Sequence, residues 1–176
     1  MSIDWLTLER AREQLAPAQY TQLADDGSLT RRVRMACNGE FAVKPIDHTT
    51  VELALQDSSL LGLPERSEAL SRRVFLCCDD LPLIYARTLI GLTRANRVLT
   101  DRIQQLGSQS LGSLLFRDPL ASKQSMWLAC VSTGHVFFEG VDMSGIDDQS
   151  VWVRRSLYEY EGFELIVYEA FIRFLE

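Results

Sequence analysis

Histidine is scarce in this chain: His48 and His135 are the only two among 176 residues, and they lie far apart. The four cysteines, Cys37, Cys77, Cys78 and Cys130, include no C-x-x-C pair. Zinc needs about four close nitrogen or sulfur ligands, and the adjacent Cys77 and Cys78 point to opposite faces of any strand, so no metal site is expected. The thiols read as buried small hydrophobes in a reducing compartment. Positive charge is in deficit, with 18 Lys and Arg against 24 Asp and Glu for a net charge of −6. Binding of nucleic acid through bulk positive charge is therefore disfavoured. No apolar run approaches the roughly 18 residues needed to cross a bilayer. Met1-Ser2-Ile3-Asp4-Trp5 offers no basic stretch typical of a signal peptide, so membrane insertion is not expected and the cytoplasm is the expected location. Gly107-x-x-x-x-Gly112 lacks the lysine of a phosphate loop, and neither G-x-S-x-G nor G-x-G-x-x-G occurs. No repeat, low-complexity tract or linker interrupts the chain.

The composition that remains is 47% apolar and 24% charged, which can bury enough surface to offset ordering entropy. Ile3, Trp5, Leu6, Leu8, Ala11 and Leu15 predict an amphipathic helix capped by Ser2. Pro17 ends it and can start a second, short helix. After the turn at Asp25-Asp26-Gly27-Ser28, Leu29, Arg31, Val33, Met35 and Cys37 alternate with Thr30, Arg32, Arg34 and Ala36. That pattern predicts a strand, with Asn38-Gly39 turning into a return strand through Phe41 and Val43. Pro45 places the return strand at an edge. Residues 51–70 read as a loop with extended segments. Residues 73–78 and 83–90 form a hairpin around Asp79-Asp80-Leu81-Pro82, apolar on both faces and therefore central. Val98, Leu99, Ile103 and Leu106 predict a helix ended by Gly107, and Leu111 to Phe116 one further helical turn or two. Trp127 to Val131 and Val136 to Phe138 are strand candidates. Val151 to Val153 leads into a strand that turns at Glu161-Gly162 and returns from Phe163 to Phe171. The expected fold class is α+β, one domain over residues 1–176 with a mainly antiparallel sheet.

Two residues break these patterns. Phe163, Leu165, Val167, Glu169 and Phe171 share one face of the last strand, so Glu169 is a carboxylate in an apolar row. Burying it alone costs several kcal/mol; it needs a cation, a ligand or an edge position where it reaches water. A buried carboxylate is also what acid–base chemistry near neutral pH uses. Arg72-Arg73 enters the central hairpin, and alternation sends one guanidinium to each covered face without choosing between them. An inward arginine suits a carboxylate ligand, which it grips through two parallel hydrogen bonds; the alternative is a strand-end arginine that reaches solvent. Arg87, Arg154 and Arg155 pose the same question more weakly.

Four ordered segments then resemble the chorismate pyruvate-lyase family, also called 4-hydroxybenzoate synthases: Asp26-Gly27-Ser28-Leu29-Thr30-Arg31; Arg72-Arg73-Val74-Phe75-Leu76-Cys77 with Pro82 and Ala86-Arg87-Thr88; Leu106 through Phe116; and Trp152-Val153-Arg154-Arg155-Ser156 with Glu169-Ala170-Phe171. The resemblance implies an antiparallel sheet with helical flaps closing over a buried ligand pocket. It implies that Arg72 grips the ring carboxylate of chorismate and that the backbone N–H of Leu111 helps hold it. Leu29 would pack on the ring, while Glu169 contacts the ring hydroxyl and serves as acid or base. The implied reaction releases pyruvate and leaves 4-hydroxybenzoate, the aromatic acid of ubiquinone biosynthesis, with no cofactor and with nothing that demands more than a monomer. Arg72 and Glu169 must then converge in one dry chamber large enough for a six-membered ring. The same fold resembles ligand-sensing domains of bacterial transcription regulators, so non-catalytic binding of an aromatic acid is the alternative. Three departures stand out: Ser110 replaces the family's proline, which implies a less rigid loop; Lys123 replaces a common arginine; and residues 125–150 match poorly.

Overall fold

The computed structural model describes residues 2–116, 121–143, 145–146 and 149–175. Strands β1 (Phe41–Glu52), β2 (Glu68–Cys78), β3 (Leu81–Gly91), β4 (Ser122–Ser132), β5 (Ser150–Tyr160) and β6 (Phe163–Phe171) form one sheet in the order β1-β2-β3-β6-β5-β4. All neighbouring pairs are antiparallel. The strands apolar on both faces hold the centre, as burial on both sides requires. β1 carries Pro45 and lies at the edge, where a missing N–H breaks no ladder; its register shifts between Pro45 and Asp47. Glu161 and Gly162 adopt φ of 52° and 83°, the left-handed pair of a two-residue hairpin turn, and set Tyr160 opposite Phe163.

One face of the sheet carries two helical groups. Helices α1 (Leu8–Arg12), α2 (Pro17–Ala24) and α3 (Leu29–Ala36) pack Ala11, Leu23, Leu29 and Val33 against Val74, Leu76, Ile84 and Phe171. Helices α5 (Arg97–Gln104) and α6 (Leu111–Leu115) pack Leu99, Ile103, Leu111 and Leu115 against Leu70, Tyr158, Leu165 and Val167. The seam between the two groups lies over the middle of the sheet. The opposite face is covered by α4 (Leu55–Leu60), the 3₁₀ turn Val136–Phe138 and residues 3–5, around a core that includes Tyr85, Ile166, Tyr168 and Ala170.

Several sequence expectations give way here. The first helix is only Leu8–Arg12 and is capped by Thr7 rather than Ser2. Leu6 instead exchanges backbone hydrogen bonds with Leu128 at 2.8 and 3.0 Å, extending the β4 edge. Residues Leu29–Ala36 are the helix α3 rather than a strand. Ser28 caps it by accepting from Arg31 N, and the pair Leu29 and Val33, four apart on one helical face, is buried while Met35 is exposed. Asn38-Gly39 therefore links a helix to β1 and makes no hairpin. Within 51–70, α4 replaces the expected loop, and Val136–Phe138 is a 3₁₀ turn capped by the His135 side chain. Cys37 and Cys78 form a disulfide, because the end of α3 meets the end of β2, and Cys130 is exposed; only Cys77 is a buried thiol.

Candidate active site

Glu169 lies on β6, which β3 and β5 flank, so the edge alternative falls away. Its side chain is 13% exposed. Directly across the β5–β6 ladder stands Arg154, itself 1% exposed. Arg154 donates from Nε at 2.7 Å and Nη2 at 2.6 Å to Glu169 Oε2, and from Nη1 to the carbonyls of Asp25 at 2.8 Å and Leu23 at 3.3 Å. Oε1 accepts no hydrogen bond from the described residues. The guanidinium offsets the desolvation that would make a lone buried carboxylate untenable, and it ties the carboxylate to the chain between α2 and α3. This partner was within reach of the sequence. Counting outward from the two-residue turn at 161–162 pairs Arg154 with Glu169, although alternation alone did not single Arg154 out.

Arg72 lies on the same face, on β2, and is 2% exposed. Its Nη2 donates to the carbonyls of Gly107 at 2.9 Å and Gln109 at 2.7 Å, in the segment joining α5 to α6. Its Nε is buried without a partner among the described residues. Burial lowers its pKa, and no acidic neighbour opposes that effect. Arg72 is thus a buried cation with donors to spare and no counter-ion among the described residues. Arg73 points to the opposite face, where it forms a two-pronged ion pair with Asp47. The choice that alternation left open is settled by which face of β2 the helical flaps cover.

Arg72 and Glu169 share one cavity. Two strand spacings and two residues of rise separate their Cα atoms by roughly 12 Å, a span that two inward side chains and a small ring can fill. Leu29, buried at the first position of α3, and Leu111, buried at the first position of α6, line the same cavity from the two helical groups. The amide of Leu111 belongs to the first turn of α6, whose N–H groups lack intrahelical partners. Ser110 caps that helix by accepting from Ser113 N at 3.1 Å. Tyr158, from β5, completes the wall beside Glu169; burial raises its hydroxyl pKa above the ordinary 10.0, and Glu169 adds to the rise. All four site residues named from the sequence are therefore brought together. The chamber itself is smaller than expected, about 40 Å³, whereas a cavity that takes up benzene measures roughly 150 Å³. A ring enters only if the flaps part.

The opposite face carries Arg73 and Arg155. Arg155 is stacked between the rings of Trp5 at 4.3 Å and Trp127 at 4.7 Å, and Tyr168 hydrogen-bonds Asp57. Burial raises the Asp57 carboxyl above its ordinary 3.8. A carboxyl raised on folding contributes stability that is complete below the unfolded value and fades as pH climbs through the folded one. As pH rises above the ordinary carboxyl value of 3.8 the wild type should lose urea stability relative to Asp57→Asn; parallel curves would rule this out. No group of three His, Cys, Asp or Glu side chains among the described residues could hold a metal. No helix is long and apolar enough to cross a membrane.

A buried cation and a buried carboxylate thus line one chamber, together with the hydroxyl side chains of Ser28, Thr30, Thr88 and Ser110 and the apolar Leu29, Leu111, Leu115 and Val167. The family model for chorismate lyase matches residues 3–175, and the chain belongs to that family. It is 26% identical over 96% of its length to a probable chorismate pyruvate-lyase of Nitrosospira multiformis, of which the match covers 92%. It is 32% identical over 89% of its length to one of Dechloromonas aromatica, of which the match covers 87%. Among solved structures, the C-terminal domain of a histidine utilization repressor from Pseudomonas syringae superposes with a TM-score of 0.57 at 10% identity, over 78% of this chain and 96% of that one. That likeness bears on the fold alone. Family membership supports a chorismate lyase activity.

Proposed function

We propose that this protein eliminates pyruvate from chorismate to give 4-hydroxybenzoate. The observation that carries the reading is the convergence of Arg72 and Glu169 on one buried cavity roofed by two helical groups. Arg72 takes the ring carboxylate, exchanging its bonds to Gly107 and Gln109 for a charged acceptor. Glu169, anchored through Oε2, accepts the hydrogen bond of the ring hydroxyl and takes the proton from the carbon that bears it. As that C–H bond breaks, its electron pair forms the last ring double bond and the neighbouring C–O bond breaks. The leaving enolate of pyruvate then takes up a proton. Aromatisation drives the step, so the protein supplies orientation, charge balance, proton transfer and exclusion of water, and no cofactor enters. Leu29 and Leu111 close over the ring. We place the reaction in the cytoplasm, with a monomer as the working unit.

The test is a coupled assay in which lactate dehydrogenase and NADH report pyruvate. Wild-type protein should turn chorismate over. Arg72→Ala should weaken both turnover at low substrate and binding of 4-hydroxybenzoate roughly 100-fold or more, since charged hydrogen bonds contribute about 1.5–3 kcal/mol apiece. A second reading comes from the fold it shares with a regulator's C-terminal domain: binding without turnover. Tight 4-hydroxybenzoate binding with no pyruvate formed would select it.

A further inference from the structure

Chorismate is a dianion, carrying one carboxylate on the ring and another on the enolpyruvyl group, and Arg72 can neutralise only the first. On the cavity's face of the sheet the other buried cation near Glu169, Arg154, has its donors committed to Glu169, Leu23 and Asp25. Lys123 is different. It lies on β4 directly opposite Tyr158 of β5, and paired residues share a face. Its side chain is 12% exposed, and its ammonium lies 5.6 Å from the centroid of the Tyr158 ring, which forms the cavity wall. Its partners are two long contacts to Asp26, at 3.3 Å to the carbonyl and 3.5 Å to the carboxylate. The Asp26 side chain is 88% exposed, so water screens that pairing and it contributes little. Burial and the nearby Arg154 lower the lysine pKa, while Glu169 partly opposes them.

We propose that Lys123 is the anchor for the second carboxylate, so that Arg72 and Lys123 grip the two carboxylates of the dianion while Glu169 faces the ring hydroxyl. This rests on the lyase reading above and names the part of the substrate that the reading left without a partner. The placement fits the chemistry. The enolpyruvyl ether is on the ring carbon next to the one bearing the hydroxyl, so it leaves the ring on its flank; Lys123 lies two strands beyond Glu169 across the sheet and, along the strands, four residues from the Glu169–Arg154 row on the Arg72 side, a flanking position. Asp26 is on the segment between α2 and α3, in one of the two helical groups that roof the cavity of about 40 Å³. Parting of that segment frees the ammonium for the incoming carboxylate. Loss of pyruvate removes the second carboxylate, after which Lys123 returns to Asp26 and the product is held by Arg72 and Glu169 alone. Arg32 is the rival cation: the Asp25 carboxylate at 3.5 Å and the Gln22 carbonyl at 2.7 Å engage its two terminal nitrogens, while its Nε is buried without a partner among the described residues, so the test includes Arg32→Gln.

The test compares two ligands that differ in the second carboxylate. In Lys123→Met the KM for chorismate should rise about 10- to 100-fold, the worth of one charge-assisted hydrogen bond. The dissociation constant for 4-hydroxybenzoate should stay within about twofold, which also shows that the site is folded. Lys123→Arg should restore KM to within a few-fold of wild type. An unchanged KM, an equal loss for both ligands, or the same selective loss in Arg32→Gln but not in Lys123→Met would each overturn the assignment. Should the wild type form no pyruvate, the lyase reading fails on its own, and the same comparison is read from dissociation constants of chorismate and 4-hydroxybenzoate.

Discussion

Glu169→Gln is expected to lower kcat for pyruvate release by about 10²- to 10⁴-fold, the range contributed by a positioned acid–base group. The amide keeps the shape and can still accept a hydrogen bond from the ring hydroxyl, but it cannot take the ring proton. Binding of 4-hydroxybenzoate should therefore survive within about tenfold, because the Arg72 contact is untouched. Steady-state turnover by the pyruvate assay, beside calorimetric binding of the product, separates the two effects. A variant that turns over within a few-fold of wild type would remove Glu169 from the chemistry and leave it a structural partner of Arg154.

Arg154→Met carries the largest expected effect on stability. The substitution leaves the Glu169 carboxylate in a covered site with no cation, and breaking one side of a buried pair costs about 3–5 kcal/mol. For a chain of this size each kcal/mol shifts Tm by roughly 2–4 °C, so a fall of about 6–20 °C is expected by calorimetry. Adding Glu169→Gln to Arg154→Met should recover part of the loss, since the two side chains contact each other and their effects are not additive. A fall of less than about 2 °C, or a double variant no more stable than the single one, would show that the pair does not hold this part of the molecule together.

Much of the fold was written locally. The β2–β3 hairpin and the β5–β6 hairpin were legible because continuous apolar runs bounded by turn residues need no distant information. The inward placement of Glu169 was half legible: two-residue alternation put it in an apolar row, but only the strand order, with β6 between β3 and β5, decided that the row is buried. Arg72 and Arg73 could not be told apart from alternation, because what distinguishes them is which face the flaps cover. The misreading of α3 is instructive. Its sequence satisfies both periods at once, alternating Leu29, Arg31, Val33 and Met35 while also spacing Leu29 and Val33 by four. The Ser28 cap and the exposure of Met35 favour the helix. The disulfide joins residues 41 apart, a separation no local pattern addresses. The size of the chamber depends on how two helical groups settle over the sheet, and residue spacing carries no information about that.

Arg154 and Arg72, both buried on the chamber's face of the sheet, donate into backbone carbonyls of the roof, Arg154 in the first flap, the α1–α3 group, and Arg72 in the second, the α5–α6 group. A carboxylate arriving at Arg72 competes for the same donors that latch the second flap, so occupancy and latching are exchangeable states of one guanidinium. The aromatic acid can escape only by the reverse exchange, with carbonyls replacing a charged acceptor, which is the weaker bond of the two. On the lyase function proposed above, its residence time would then be set by the latch rather than by bond cleavage, and departure of the product would limit throughput. Loosening the segment from Gly107 to Gln109 should quicken that departure at the expense of retention.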